Sequence, residues 1–206
     1  MLYHFQNSIY IKNTQLLELN KFYLVQQKIE LILDLFNYEN NVLDIGSESV
    51  NVFDDCKYNI EDLYKISKQI CVKSRFYYDK HFNKSKVEEL YKIWIYNSCY
   101  EKFADRIYIY NMDKNVYGFC IVQIKNNNII RISLIGVDQT IKKKGIGSII
   151  LQRIFSDYKK KGYKKCLVAT QANNINALNF YIKNNFKFYK SEIVFHRWFE
   201  RKGRII

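Results

Sequence analysis

"VDQTIKKKGIGSII", residues 137 to 150, places three lysines before two glycines and follows them with an apolar pattern typical of a helix. Glycine at positions 145 and 147 lets a ligand approach the main chain closely. The first turn of the following helix presents N–H groups without intrahelical partners and the positive end of the helix dipole. The stretch therefore predicts a strand, a glycine turn and a helix that bind a diphosphate group. A G-x-G spacing alone is weak evidence, and the alternative is a solvated lysine loop before an ordinary helix.

The composition of the 206 residues indicates a folded globular protein. Hydrophobic residues make up 48% of the chain and the net charge is +13. Because Lys, Asn, Ile and Tyr are frequent throughout, this charge alone does not predict a nucleic-acid partner. The five cysteines contain no C-x-x-C pair, which predicts neither a disulfide framework nor a metal site. No uncharged apolar run approaches about 18 residues, so we expect a cytoplasmic protein without a membrane segment.

Hydrophobic periodicity predicts helices and strands along most of the chain. Asn59 is a typical N-cap residue before an amphipathic stretch, and Gly162 is well placed to end a later helix. The predicted helices cover residues 13–19, 30–38, 58–70, 87–100, 145–160 and 174–184; the predicted strands cover 22–29, 42–53, 105–111, 116–125, 129–138 and 166–170; residues 73–85 are predicted as a loop and 186–199 as a hairpin. This order predicts an α/β chain with a mixed sheet, in which residues 1–55 form a small N-terminal α/β subdomain and residues 56–206 the main domain.

A second segment follows the glycine turn at a distinctive spacing. After the strand "CLVAT" comes "NINALNFYIKNNF", in which Asn174, Ala177, Leu178, Tyr181 and Phe186 are spaced N-x-x-A-L-x-x-Y-x-x-x-x-F. The two segments, in this order, resemble the GCN5-related N-acetyltransferase (GNAT) family from about Tyr58 to the C-terminus. The resemblance implies the GNAT fold, a mostly antiparallel twisted sheet with helices on both faces, and acetyl-coenzyme A as cofactor.

In that family the first segment reads R/Q-x-x-G-x-G/A and binds the pyrophosphate of acetyl-coenzyme A. The Asn and Tyr of the second segment face the pantetheine arm and the thioester sulfur. This chain departs from the pattern at four positions. Lys142 stands where Arg or Gln is usual, Lys143 and Asn185 stand where glycine is usual, and Gln139 stands where proline is usual. A diphosphate cradle is built from backbone N–H groups, so these changes remove no donor. The resemblance places the following residues at the cofactor: Ile135, Gly136, Val137, Lys142, Lys143, Lys144, Gly145, Ile146, Gly147, Ser148, Asn174 and Ala177.

The resemblance makes Tyr181 the catalytic candidate at the sulfur. Full proton transfer from a phenol with a pKa near 10 to a thiolate with a pKa near 8.5 is uphill by roughly 2 kcal/mol, unless the site lowers the phenol pKa. Hydrogen-bond donation, with transfer as the thiolate leaves, is therefore expected. The alternative is that Tyr181 only packs a helix face.

Two further stretches, "SRF" at 74–76 and "WIYN" at 94–97, together with "VATQANNINALNFYIKNNFKF", resemble the bacterial TDP-fucosamine acetyltransferases. These enzymes acetylate the 4-amino group of a nucleotide-linked 4-amino-4,6-dideoxy sugar, which implies a role in surface polysaccharide or lipopolysaccharide biosynthesis. The strand before the glycine turn carries no Glu or Asp until Asp138, so no general base is evident there. A water relay, with His81 as an alternative relay, is therefore expected. The candidate substrate-binding residues are Ser74, Arg75, Phe76, Tyr78, His81 and Trp94.

Other functions remain open at the level of the sequence. Another amine, such as a protein N-terminus, a polyamine or an aminoglycoside, could be the acceptor. A non-catalytic module that binds acetyl-coenzyme A or RNA is the alternative from a different class. A terminal strand could also pair two subunits into a homodimer.

Overall fold

The computed structural model describes residues 2–7, 11–39, 49–141 and 144–199. Its strands are β1 (Leu2–Asn7), β2 (Tyr23–Asp34), β3 (Val50–Val52), β4 (Arg106–Met112), β5 (Asn115–Asn126), β6 (Ile129–Val137), β7 (Lys165–Gln171) and β8 (Lys187–Trp198). Its helices are α1 (Ile11–Leu19), α2 (Ile60–Cys71), α3 (Arg75–Tyr78), α4 (Lys84–Tyr100), α5 (Ile146–Lys160) and α6 (Ile175–Lys183).

The described strands form one eight-stranded mixed sheet in the order β1-β8-β2-β7-β6-β5-β4-β3. Neighbouring strands run antiparallel except β6 and β7, which are parallel. Strand β2 lies between β7 and β8, although both of those strands come more than a hundred residues later in the sequence. Residues 1–55 thus contribute three strands to this sheet, and the domain boundary at residue 55 stays a prediction.

Among the described residues, helices cover both faces of the sheet, and buried apolar side chains pack on each face. On one face α5 and α6 pack on the sheet through residues such as Ile150, Phe155 and Tyr181. On the other face α2 and α4 pack through Leu63 and Ile95, which are fully buried. Each such side chain contributes roughly 1.5–3 kcal/mol on burial. The mixed sheet with helices on both faces is the fold class that the sequence predicts.

Helix α2 shows why the local predictions succeed. The side chain of Asn59 accepts a hydrogen bond from the backbone N–H of Glu61 at 2.9 Å. Glu61 and Asp62 lie in the first turn, where acidic groups complement the helix dipole, and Leu63 and Ile66 face the core. The cap, the charges and the periodicity all agree at this helix.

Two predictions about the sheet are wrong. The predicted helix at residues 30–38 is wrong, because residues 30–34 continue β2, with Leu31 and Leu33 facing one core in a period of two, and residues 35–38 are irregular. The hairpin predicted at 186–199 is the single strand β8, paired with β1 on one side and β2 on the other. In both cases remote strands supply the pairing, and a local pattern cannot show them. Residues 73–85 include the short helix α3, and of the strand pair predicted at 42–53 only β3 lies within the described residues.

Three chemical features of the described residues bear on membrane, redox and metal chemistry. Among the described residues, no helix has the length and apolar character needed to cross a membrane. The five cysteines are free thiols. Asp54, Asp55 and Cys56 bring three potential metal-ligating atoms within 4.8 Å of one another near the surface. Surface acidic groups of this kind are common without a metal, so the trio alone does not indicate a metal site.

Candidate active site

Strands β6 and β7 separate at their carboxyl ends. The parallel ladder runs only as far as the pairing of Ile132 with Val168. Beyond it, residues 134–137 of β6 pair only with β5, and residues 169–171 of β7 pair only with β2. A bulge at Ser133, opposite the step from Ile121 to Val122, coincides with the separation. The two strands therefore diverge beyond Val168, and a gap, the opening, separates residues 133–137 of β6 from residues 169–171 of β7.

The free edge of β6 offers hydrogen-bonding groups to this opening. The N–H of Asp138 donates to the carbonyl of Tyr117 on β5 at 2.8 Å. Because the direction of main-chain groups alternates along a strand, the N–H and C=O groups of Ile135 and Val137 point away from β5 and towards the opening. These are two of the residues that the sequence places at the cofactor, and their side chains pack against the core under α5.

Helix α5 begins close to the end of β6. Gly145 is its N-cap with φ of 77°, a left-handed conformation that favours glycine, and a Cβ there would meet nothing within 4 Å. The N–H of Ser148 bonds to the carbonyl of Gly145 at 2.9 Å, while those of Ile146 and Gly147 have no backbone acceptor within the described residues. At Gly147 a Cβ would lie 3.0 Å from the ring of Phe180, so this glycine lets α5 and α6 pack closely. The first turn can bind an anion.

Gly136 has a different role from the one the sequence suggests. A Cβ at this position would lie 2.8 Å from Cγ2 of Ile66 and 3.2 Å from Cδ1 of Ile70, both on α2. The packing of α2 against β6 therefore requires glycine here, independently of any ligand. Its placement at the cofactor stays a prediction.

Asn174 is the N-cap of α6. Its side-chain oxygen accepts a hydrogen bond from the backbone N–H of Ala177 at 3.3 Å, so the N-x-x-A spacing serves the cap directly. The amide nitrogen of Asn174 remains available for another acceptor. Of the three lysines before the glycines, Lys144 is exposed, and Lys142 and Lys143 lie outside the described residues.

Tyr181 lies on α6, and its side chain is buried against the sheet. Its ring packs on Phe180 and Phe186, with centroids 5.1 and 5.5 Å away. Burial raises the pKa of the phenol well above its usual value, and the nearby thiols of Cys120 and Cys166 add to the rise. These cysteines lie on the strands either side of β6, opposite its residues 135 and 130. The phenol therefore lies over the stretch of β6 where the opening begins, and it keeps its proton.

On the opposite face, the segment between α2 and α4 carries most of the predicted acceptor residues. Ser74 is buried and caps α3 by accepting from the N–H of Tyr77 at 3.2 Å. Arg75 is half-buried, its guanidinium lies 4.4 Å from the ring centroid of Phe76, and its Nε is buried without a hydrogen-bond partner among the described residues. Burial lowers the pKa of Arg75, and among the described residues no carboxylate forms an ion pair with it. Tyr78 is exposed.

Asp79 is the centre of a hydrogen-bond network that joins this segment to β2 and β8. Its carboxylate accepts from Nδ1 of His196 at 2.6 Å, from Nε1 of Trp198 at 3.2 Å and from the hydroxyl of Tyr23 at 2.9 Å. The backbone N–H of His81 and its ring Nδ1 each lie 3.0 Å from the same carboxylate. The network therefore holds a predicted acceptor residue in a fixed position.

The network also sets the protonation of its members. Burial opposes ionisation of Asp79, but hydrogen bonds from His196, His81 and Tyr23 outweigh it and hold the pKa of Asp79 well below its usual range. Burial and the neighbouring carboxylate raise the pKa of Tyr23 to about 12. Asp79 is thus a buried carboxylate that can only accept hydrogen bonds.

Glu30 is a second buried carboxylate on this face of the sheet. It lies on β2 opposite Ala169, one residue beyond the last pairing of β6 with β7. It forms ion pairs with Arg131 on β6 and, at 3.4 Å, with Lys190 on β8. The carboxylate is therefore already neutralised by two cations of the protein itself.

Trp94 is linked to the other predicted acceptor residues through Tyr91, which interacts with Ser74 and Arg75. Its indole packs between Tyr91 and Phe103, with ring centroids 5.8 and 6.5 Å away, and its Nε1 is buried without a hydrogen-bond partner among the described residues. This position on α4 suits core packing, and contact with an acceptor stays a prediction.

The sequence did not suggest Asp79, Tyr23, His196 or Glu30 as site residues. The only local signal for Asp79 is an acid two residues before a histidine in "YDKHF". The other three come from strands whose positions in the sheet depend on remote pairing.

Comparison with known proteins identifies the family. A model of the acetyltransferase (GNAT) family matches residues 63–186, more than half of the chain. No curated protein sequence matches significantly. A conserved protein of unknown function from Staphylococcus epidermidis ATCC 12228 superposes with a TM-score of 0.65 at 13% identity, over 95% of this chain and 72% of that chain. A GCN5-related N-acetyltransferase from Sphaerobacter thermophilus superposes with a TM-score of 0.62 at 12% identity, over 95% of this chain and 60% of that chain.

A third solved structure is a GCN5-related glucosamine N-acetyltransferase region of a fungal multi-domain GH3 β-N-acetylglucosaminidase. It gives a TM-score of 0.61 at 14% identity, over 92% of this chain and 23% of that chain. Identities this low establish the fold alone, while the family model rests on the sequence. The chain therefore belongs to the GNAT family of acetyl-CoA-dependent N-acetyltransferases.

Proposed function

We propose that the protein transfers the acetyl group of acetyl-CoA to the amino group of a nucleotide-linked amino-deoxy sugar of the 4-amino-4,6-dideoxyhexose type, for surface polysaccharide biosynthesis. The coenzyme supplies an activated acetyl thioester. The described residues fit it: the free main-chain groups of Ile135 and Val137 suit the amides of its arm, and the first turn of α5 after Gly145 suits its diphosphate. Lys144 adds positive charge beside that turn.

Tyr181 is proposed to act on the departing sulfur. A buried phenol with a raised pKa carries its proton at neutral pH, so it can donate a hydrogen bond as negative charge develops. The same raised pKa makes early, complete proton transfer less favourable than for an ordinary phenol. Donation in step with departure of the thiolate is the role that fits.

The observation that carries the acceptor assignment is Arg75. A half-buried guanidinium without a carboxylate partner among the described residues suits an anionic acceptor, because a diphosphate would restore the missing charge pairing. The buried carboxylates nearby already have partners: Glu30 forms ion pairs with Arg131 and Lys190. The Asp79 carboxylate accepts hydrogen bonds from His196, Trp198 and Tyr23. A cationic polyamine or aminoglycoside would find less complementary charge there.

The family assignment is equally consistent with another amine, including a protein N-terminus, so the test compares acceptor classes. Thiol release from acetyl-CoA is measured with nucleotide-linked amino sugars, spermidine, an aminoglycoside and an N-terminal peptide. We expect the nucleotide sugars to give the highest kcat/KM. Faster turnover with a cationic amine would overturn the assignment, and coenzyme binding without turnover on any amine would identify a non-catalytic module.

Arg75→Gln refines this test. It should raise KM for the nucleotide sugar about tenfold or more, since a charge-assisted contact contributes roughly 1.5–3 kcal/mol. Arg106→Gln is the matched control, because Arg106 is exposed at the start of β4. Equal KM values for the two variants would show that Arg75 does not contact the acceptor.

A further inference from the structure

We propose that His81 is the general base that takes a proton from the acceptor amine, and that Asp79 is the residue that positions its ring. The inference rests on the proposed acetyl transfer and supplies the base that the strand before the glycine turn lacks.

The hydrogen bonds fix which ring nitrogen of His81 is free. The Asp79 carboxylate can only accept, and Nδ1 of His81 lies 3.0 Å from its Oδ1, so Nδ1 must carry the proton. The other nitrogen, Nε2, is then unprotonated in the neutral ring, and it forms no hydrogen bond with the described residues. The side chain is 53% exposed, so Nε2 can reach a bound substrate. A base held by a buried carboxylate is the arrangement that makes histidine effective in proton transfer.

Two elements from opposite ends of the chain hold the ring in place. The indole of Trp198 on β8 stacks on it at 5.0 Å between centroids with a 22° tilt. The hydroxyl of Tyr23 on β2 lies 3.0 Å from Nδ1. His196 on β8 binds the other oxygen of Asp79. The titratable groups facing His81 are therefore Asp79, Tyr23 and, through the carboxylate, His196.

The position of His81 relative to the opening supports the assignment. The next residue, Phe82, packs on Trp198 and belongs to the same apolar cluster as Leu134, a residue of β6 beyond the end of the parallel ladder. This cluster lies on the sheet face of α2 and α4, whereas Tyr181 lies on the face of α5 and α6. A base on one face and a proton donor on the other suit an amine that attacks from one side while the sulfur departs on the other.

In each turnover one proton leaves the amine and one proton reaches the sulfur. The amine nitrogen forms a bond to the acetyl carbon and gives one proton to Nε2 of His81. The bond between the acetyl carbon and sulfur breaks, and its electron pair stays on sulfur, which receives the Tyr181 proton. His81 then releases its proton to solvent, and solvent returns one to Tyr181. The products are the amide and the free thiol.

The first test compares His81→Gln with wild type over pH 5 to 8, using thiol release at saturating acetyl-CoA and one acceptor. The titration of the acceptor amine affects both proteins equally, so it cancels in the ratio of their rates. We expect a deficit of about a hundredfold at pH 8 that narrows as the pH falls, because a general base acts only in its unprotonated form. Lys80→Gln, a change at an exposed neighbour, should keep the wild-type profile.

The second test separates chemistry from structure. His81→Ala should regain at least tenfold in rate with added imidazole, which a purely structural loss would not do. Asp79→Asn should lower the rate to a similar extent without imidazole rescue, because the ring is present but wrongly oriented. If Asp79→Asn does not fold, Tyr23→Phe tests the positioning of the ring instead. Its rate of thiol release should be lowered less than that of His81→Gln, with the same dependence on pH.

The outcomes distinguish the two proposals. A pH-independent rate ratio, or a His81→Ala variant that imidazole does not rescue, would overturn the base while acetyl transfer stands. Coenzyme affinity measured by calorimetry should be unchanged in every His81 variant, and a large loss would point instead to a binding role. If wild type releases no thiol with any amine, the proposed function and the base fall together.

Discussion

Tyr181→Phe should produce a protein that is at least as stable as wild type and nearly inactive. The side chain is 5% exposed, its ring is fully packed, and its hydroxyl forms no hydrogen bond with the described residues. Removing a hydroxyl that has no protein partner relieves a desolvation cost, whereas removing a bonded one loses an interaction. The substitution keeps the ring and therefore creates almost no cavity.

Tyr181→Phe should change stability and activity in opposite directions. An unpaired buried polar group costs about 1–3 kcal/mol, and partial access to solvent reduces this, so we expect a gain of up to about 1 kcal/mol. For a domain of this size that is roughly 2–4 °C in Tm. General acid catalysis contributes about 10²–10⁴ in rate. Because burial raises the pKa of Tyr181, it is a weak acid, and the lower end, about a hundredfold in kcat, is expected.

The assay combines thermal unfolding with thiol-release kinetics and coenzyme calorimetry. Tyr108→Phe is the matched control, since Tyr108 is fully buried in the same core but donates to Asp157 at 2.9 Å. It should lose about 1 kcal/mol of stability and keep its activity. A Tyr181→Phe variant with wild-type turnover, or one destabilised as much as the control, would refute the reasoning.

Three further substitutions test the cradle, the paired carboxylate and the network. Gly145→Ala should cost about 1 kcal/mol of stability, because φ is 77° and the added Cβ meets nothing, and should weaken coenzyme binding; unchanged calorimetry would contradict it. Glu30→Ala should lower the unfolding free energy in urea by about 3 kcal/mol by leaving Arg131 unpaired, whereas Glu89→Ala at an exposed pair should change it little. Because the folded pKa of Asp79 is depressed, its contribution to stability is complete above its unfolded pKa near 4 and is lost as the pH falls below that value. Asp79→Asn should therefore reduce the fall in unfolding free energy at acid pH, measured by circular dichroism. Parallel plots of stability against pH for the variant and wild type would exclude Asp79 as the source of that fall.

The parts of the fold set by local chemistry could be predicted from the sequence. Gly162 has φ of 87° just after α5, where the sequence predicts a helix stop. Asn185, which stands where the family has glycine, has φ of 65°, a conformation that asparagine tolerates better than most residues. The glycine turn, its strand and its helix also lie where the sequence predicts them.

The parts set by remote pairing could not be predicted. Glu30 and Asp34 fall in an apolar run compatible with either period, and only the two neighbouring strands make that run a strand. The same pairing brings Tyr23 and His196 to Asp79, which no sequence spacing could indicate. A sequence pattern does not reveal these long-range neighbours. For this reason the sequence indicates His81 only as a possible relay and indicates no group that orients its ring.

The insertion of β2 between β7 and β8 dictates the order in which the molecule can be assembled during translation. Gln27 donates to Ser191 across 164 positions, so β2 emerges from the ribosome long before either flanking strand exists. Until then its backbone edges are open, and contacts of such large sequence separation form slowly. Half of the sheet thus closes only after β8 has been made, which makes nascent chains more prone to aggregation than the folded protein.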